Sequence, residues 1–329
     1  MFVALKRLLL ASVFISFLSV YSCTQIDLMI PDHERVESNS NSVGLSVYSP
    51  PYSMWSPSSI IKINQYAPLN FSHQSAAAYG DYALFVSGGR SKMCLYNLKC
   101  KEILYTLDLK SVNKDTFHCN QSSFGTTRYD TSDPFPLFYL SQRAQSDQRC
   151  FVEVFRILPR YNEAISGYDS FSIQLVQTIY FPAMSYENSL GNANCVIDSD
   201  EGLMYTYSRN NNYTQDNYGE CKITCFYIPS IEKDKVFLED SDILNSFMID
   251  AQAINMQGGC IKDGILYIGQ GYYSAGYIYL NIIDLDKKEL VTRIDLQKYK
   301  VSWEPEGCFF YDGSVMLAHT LAICRIDKP

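Results

Sequence analysis

The chain of 329 residues carries no surplus of positive charge: 27 Lys and Arg stand against 35 Asp and Glu, a formal net charge of −8. Phosphate contacts need a Lys/Arg excess, so nucleic-acid binding is excluded as a partner class. Beyond the first two dozen residues no apolar run approaches the roughly 18 residues that a spanning helix requires. Helical 3.6-residue periodicity is sustained nowhere. The sequence contains no GxSxG, P-loop, HExxH or post-strand GxGxxG, which removes the common signatures of acyl transfer, nucleotide binding and zinc hydrolysis. Cysteines 94, 100, 119, 150, 195, 221, 225, 260, 308 and 324 lack paired CxxC spacing, so no zinc knuckle is expected. Several of them fall in apolar strand patterns, where a cysteine acts as a small buried hydrophobe, and mostly free thiols are expected.

What is present is apolar and aromatic. Hydrophobic residues make up 47% of the chain, with 26 Tyr and 18 Phe, enough for a real core and weighted towards strands. The N-terminus reads as an export signal over 1–22, with Lys6 and Arg7 before the apolar run from Leu8 to Val20. Ser22 before Cys23 fits a bacterial lipoprotein signal, in which Cys23 is lipidated and becomes the membrane anchor. The polar stretch 23–59, with its Ser, Asn and Pro punctuation, is expected to be a tether holding a folded domain, 60–329, off the membrane. The expected location is therefore exported and membrane-anchored, at an outer membrane, periplasmic or surface-facing.

Five segments repeat one pattern: a polar residue, small residues, an apolar pair, an Asp/Gly turn, then a short aromatic-rich strand. They begin at His73, His118, Asn192, Asn255 and Glu304, at spacings of roughly 45 to 75 residues. Further strand-like runs follow each, including Met93–Leu98, Phe151–Ile157, Phe171–Phe181, Cys221–Ile228, Lys235–Leu238 and Tyr277–Leu285. Four strands per unit, repeated radially, predict an all-β, five-bladed β-propeller of antiparallel blades. The fifth unit ends one strand short, and Ile60–Leu69 supplies the missing outer strand, closing the ring without an exposed edge. Six blades is the alternative, should the long 139–181 stretch hide a diverged unit.

Aligning the units stacks two polar layers at the channel mouth, because strand side chains alternate in direction. One comprises His73, His118, Asn192, Asn255 and Glu304, the other Ser75, Asn120, Asn194, Gln257 and Glu306. The loops joining second and third strands bring Arg90, Arg209, Tyr272 and Tyr273 to the same face, and Trp303 precedes the fifth pair. One reading is a polar, aromatic-rimmed pocket for an extracellular glycan, peptide or protein surface. The other is ordinary channel lining that satisfies neighbouring backbone groups. Glu304 and Glu306 are the candidate catalytic residues, since crowded carboxylates push one pKa up and suit acid–base work. His73, His118 and Glu306 are metal-ligand candidates by residue type, but they form no recognised motif, and neither metal nor cofactor is expected. A monomer that binds its ligand without chemistry is the first expectation; an enzyme at the same face is the second.

The stretch Met256-Gln-Gly-Gly-Cys-Ile-Lys-Asp-Gly-Ile-Leu-Tyr-Ile-Gly-Gln-Gly-Tyr-Tyr resembles a blade of the five-bladed glutaminyl cyclases of plants and bacteria, and Glu306-Gly307 echoes it. That resemblance implies the propeller fold and, at one remove, a cyclotransferase-like activity. The family's acidic residue after Gln-Gly-Leu has no counterpart, because Cys260 and Ile261 stand there. In layout the whole chain also resembles the uncharacterised propeller lipoproteins of Bacteroides-type bacteria.

Overall fold

A computed structural model describes residues 62–69, 71–87, 92–109, 119–142, 149–183, 193–209, 220–250, 256–272, 277–301, 303–319 and 322–327. Their 21 strands form five sheets. Blade 1 is β2 (Ser75–Tyr79), β3 (Tyr82–Val86), β4 (Lys92–Asn97) and β5 (Glu102–Asp108). Blade 2 is β6 (Cys119–Phe124), β7 (Phe138–Gln142), β8 (Phe151–Asn162) and β9 (Gly167–Tyr180). Blade 3 is β10 (Asn194–Asp198), β11 (Leu203–Arg209), β12 (Cys221–Tyr227) and β14 (Ile243–Ile249). Blade 4 is β15 (Met256–Lys262), β16 (Ile265–Tyr272), β17 (Tyr277–Asp284) and β18 (Glu289–Asp295). Blade 5 is β19 (Gly307–Tyr311), β20 (Ser314–His319), β21 (Ala322–Asp327) and, outermost, β1 (Lys62–Pro68).

The ring closes as the sequence predicts. β1 pairs antiparallel with β21 from Lys62 opposite Asp327 to Pro68 opposite Ala322, with an irregularity at Gln65/Ala67. Pro68 ends this strand, where a missing N–H costs least. Five buried clusters, one at each junction between successive blades, hold the ring together. Phe85 and Tyr96 of blade 1, for example, meet Phe309 and Met316 of blade 5. Each sheet is covered on both faces, so middle strands are buried almost throughout (Met93 to Asn97 without interruption), while the outer β14 alternates. The Asp263-Gly264 and Asp312-Gly313 hairpin turns place both residues at positive φ (52° and 70°, 49° and 71°), the conformation a two-residue turn with strand-matched twist demands.

Two expectations change. The 139–181 stretch holds no sixth blade: β8 and β9 are one long hairpin of 12 and 14 residues, whose tip at Glu163–Ile165 lies beyond the blade. Phe171 and Tyr168 of its extension pack onto Tyr105 and Tyr82 of blade 1. The expected fourth strand of blade 3 is also reassigned. Lys235–Phe237 forms β13, which runs parallel to β9 as a fifth strand of blade 2, with Phe237 stacked on Tyr180 at 4.6 Å. Ile243–Ile249 takes the outer place in blade 3 instead.

Candidate functional site

The inner strands β2, β6, β10, β15 and β19 surround one axis. Their second halves all line a single cavity of about 170 Å³ at the end of the channel where the inner hairpins turn. The opposite end, where the inner strands begin, carries Gln74, Gln257, Glu304 and Glu306.

Glu306 is the centre of that end. It is 4% exposed, and the Gln74 side chain donates from Nε2 to its Oε1 at 2.9 Å. Its Oε2 is buried without a hydrogen-bond partner. Burial pushes the Glu306 pKa well above the ordinary range, and the Glu304 carboxyl beside it adds to the shift; the Gln74 hydrogen bond pulls the other way. The shift favours the protonated, neutral form of Glu306 over the carboxylate. Glu304 is half-buried and receives Gln257 Nε2 at 3.4 Å, and the same amide reaches the Gly271 carbonyl at 3.3 Å. Pro305 between the two glutamates leaves the Glu306 N–H bonded to the Glu304 carbonyl at 3.0 Å. Trp303, next to Glu304 in sequence, is 41% exposed.

The structure thus brings Gln257, Glu304 and Glu306 together and places other members of the two layers differently. Counting back from the hairpin pairs Tyr79–Tyr82 and Tyr311–Ser314, Gln74 stands level with Glu306, whose carboxyl it bonds. Ser75 is one place off, level with Gly307, and fully buried with an unpartnered Oγ. A one-residue slip in a strand exchanges its two faces, so the repeat's polar pattern misnamed this member. Asn194 is buried, and its Oδ1 has no partner. His73 is not a pocket residue. It is 2% exposed, its ring meets Phe85 edge-on at 5.2 Å, and Nδ1 lies 3.0 Å from the Phe71 carbonyl. Burial drops its pKa to about 4, against the opposing pull of the Phe71 and Ala318 backbone, so it is neutral. Among the described residues no group of three or more His, Cys, Asp or Glu is placed to hold a metal ion. His118, Asn192, Asn255, Arg90 and Tyr273, the side chains of Asn120, Arg209 and Tyr272, and Cys23 lie outside the described residues.

Sequence reasoning missed the residue that closes the channel. Gln121, fully buried on β6, reaches across the axis to β15, two blades away. Its Nε2 donates to the Gly259 carbonyl at 2.6 Å, and its Oε1 accepts the Gly259 N–H at 2.7 Å. Nε2 also reaches the Ser122 carbonyl at 2.7 Å. Tyr207 from β11 donates to the Gln257 carbonyl at 2.6 Å and lies 3.2 Å from Gln121 Oε1. Glycine is required here. A Cβ on Gly259 would sit 2.9 Å from the Tyr207 hydroxyl, and one on Gly258 would collide with the Glu306 carbonyl. The available signal was the third glutamine at an inner strand, beside Gln74 and Gln257; nothing local marked Tyr207. Gly259 and Ser122, which Gln121 bonds, line the 170 Å³ cavity.

No family model matches the chain, and no curated protein matches it. Among solved structures it is similar to a glutaminyl cyclase from Myxococcus xanthus, at 11% identity over 82% of this chain and 97% of that one, with a TM-score of 0.47. A luciferin-regenerating enzyme matches at 9% identity over 81% and 95% of the two chains, with a TM-score of 0.40. The RRP9 WD40 repeats match at 10% identity over 78% and 79%, with a TM-score of 0.37. The blade count stands on the strand pairing and the five interblade cores.

Proposed function

We propose that this propeller recognises a polar ligand, a glycan or an extended peptide, at the face carrying Glu304, Glu306, Gln74, Gln257 and Trp303. The carrying observation is the meeting at that mouth of half-buried Glu304, the buried Glu306 carboxyl with its raised pKa, and the side-chain amides of Gln74 and Gln257. Glu304 and the amides supply direction to hydrogen bonds, Trp303 supplies a flat apolar face, and Glu306 fixes the geometry of its neighbours from below. Gln121 floors the site, so a ligand rests on this face and does not thread the axis. The same reading makes the chain a monomer, exported and tethered through Cys23, supported by the basic and apolar pattern of residues 1–22.

The test is titration of the full chain against glycan and peptide panels by calorimetry. Trp303→Ala and Glu304→Gln should each weaken a bound ligand at least about tenfold, a loss of about 1.4 kcal/mol. Unchanged affinity in both variants overturns the site. A second reading, a hydrolase, lyase or cyclotransferase, is favoured by one feature: a carboxyl kept protonated beside a second one is the arrangement of a general acid. It predicts turnover of a panel member that Glu306→Gln abolishes while binding survives.

A further inference from the structure

At the far end of the channel, beneath the Gln121 plug, two thiols from different blades meet. Cys260 of β15 and Cys308 of β19 have their Sγ atoms 3.2 Å apart. The inner strands approach this closely because Gly258 and Gly307 stand side by side just before them. A Cβ on Gly258 would lie 2.8 Å from the Gly307 Cα, so no bulkier pair leaves the strands at this spacing. Cys308 is buried at 1% exposure, whereas Cys260 is partly exposed, and both line the 170 Å³ cavity. The cavity gives a small molecule access to this pair at an end of the channel that the proposed recognition site does not use. The other cysteines among the described residues are thiols as well.

We propose that Cys260 and Cys308 are a redox-active pair that closes to an interblade disulfide when a low-molecular-weight disulfide enters this cavity. Closure needs a further approach of about 1 Å to reach the S–S bond length. The Cys260 thiolate attacks one sulfur of the oxidant, forming a mixed disulfide and releasing the first small thiolate, which takes up a proton. The Cys308 sulfur then attacks the Cys260 sulfur, breaking the mixed bond and releasing the second small thiol. Two protein thiols are oxidised and one external disulfide is reduced to two thiols, so electrons and protons balance. Cys260 is the entry thiol because it is the more exposed, and Cys308 is the resolving one. Burial holds the Cys260 thiol well above its ordinary pKa, so the reaction is slow at neutral pH and quickens about tenfold per pH unit as thiolate forms. The product ties β15 to β19, fastening blade 4 to the blade that carries the ring closure.

The full chain is incubated with 2-hydroxyethyl disulfide at pH 7, 8 and 9, alkylated, and mapped by non-reducing peptide mass spectrometry. The expected result is loss of two thiols per chain, a linked pair of peptides containing Cys260 and Cys308, and a rate rising with pH. Cys308→Ser should accumulate the small-thiol adduct at Cys260, because the second attack has no nucleophile. Alkylation of both residues after oxidation, linkage of either one to a different cysteine, or a stable adduct at Cys260 in the parent chain overturns the proposal.

Discussion

Replacing Glu306 by Gln removes the buried acid next to Glu304. Glutamine keeps the shape and can keep the acceptor that Gln74 Nε2 meets at 2.9 Å. In the folded chain Glu306 holds its proton well above pH 4.5, while in the unfolded chain it ionises near 4.5. Its folded pKa is raised, so its contribution to stability is full below pH 4.5 and is lost as pH rises towards the folded value. The loss approaches about 1.4 kcal/mol per pH unit. His73 acts in the opposite direction. Its folded pKa, about 4, lies below the ordinary 6.5, so stability falls as pH drops from 6.5 towards 4. That decline amounts to about 3 kcal/mol in all. Between pH 4.5 and 6.5 the two slopes oppose one another, and the parent is nearly flat with respect to this pair. Glu306→Gln leaves the His73 slope uncompensated. Urea unfolding at half-unit steps upward from pH 4.5 should show the variant gaining on the parent as pH rises, by up to about 1.4 kcal/mol per unit while Glu306 stays protonated in the folded chain. Every other titrating group cancels in the difference except Glu304, which touches the site. Parallel curves for parent and variant would refute the assignment of a neutral Glu306.

Gln121→Leu keeps the bulk of the plug but strands the Gly259 N–H and carbonyl, and urea unfolding should show a loss of about 2–4 kcal/mol. Gly258→Ala drives a methyl into the Glu306 carbonyl and should abolish the cooperative thermal transition. Gly80→Ala is the control: its Cβ meets nothing within 4 Å, so it costs only the left-handed backbone penalty of about 1 kcal/mol. Removing residues 62–68 uncovers the β21 edge and takes Ala67 out of the blade 5–blade 1 core; light scattering should report aggregation that the parent does not show.

Much of the architecture is written locally, and the misreadings share one cause. Ile60–Leu69 could be assigned to the outer place in blade 5 because an apolar run without a partner faced a unit short of one strand. Asp263-Gly264 and Asp312-Gly313 marked their hairpins because only a few residues tolerate two successive positive φ values. Lys235–Phe237 was assigned to the wrong blade because its β-propensity is local, whereas its parallel pairing with Thr178–Tyr180 is a tertiary fact. Ile243–Ile249 shows the period-2 burial of an outer strand, but its residue types do not alternate in step, with Leu244 and Met248 on the exposed face, so the sequence carried no such signal. At the mouth, Glu304, Glu306 and Gln257 were legible as polar residues where an inner strand should be apolar. Gln74 was lost to a one-residue slip. His73 is polar for another reason: a neutral imidazole, bonded through Nδ1 to the Phe71 carbonyl, packs edge-on against Phe85.

The plug changes what the polar layers can mean. An open channel would let the mouth residues serve as a wet lining, and their polarity would need no further explanation. Gln121 and Gly259 close that channel with two short hydrogen bonds in a fully buried setting, where an amide paired to a backbone unit is hard to displace. Glu306 bears a desolvation cost at this end that an apolar residue of similar size would not. Gln257 joins the mouth to the plug. Its side chain contacts Glu304, and its carbonyl accepts the Tyr207 hydroxyl that also lies against Gln121. The Glu304 side chain is therefore tied through one residue to the buried plug, which holds the mouth polar groups in place from beneath.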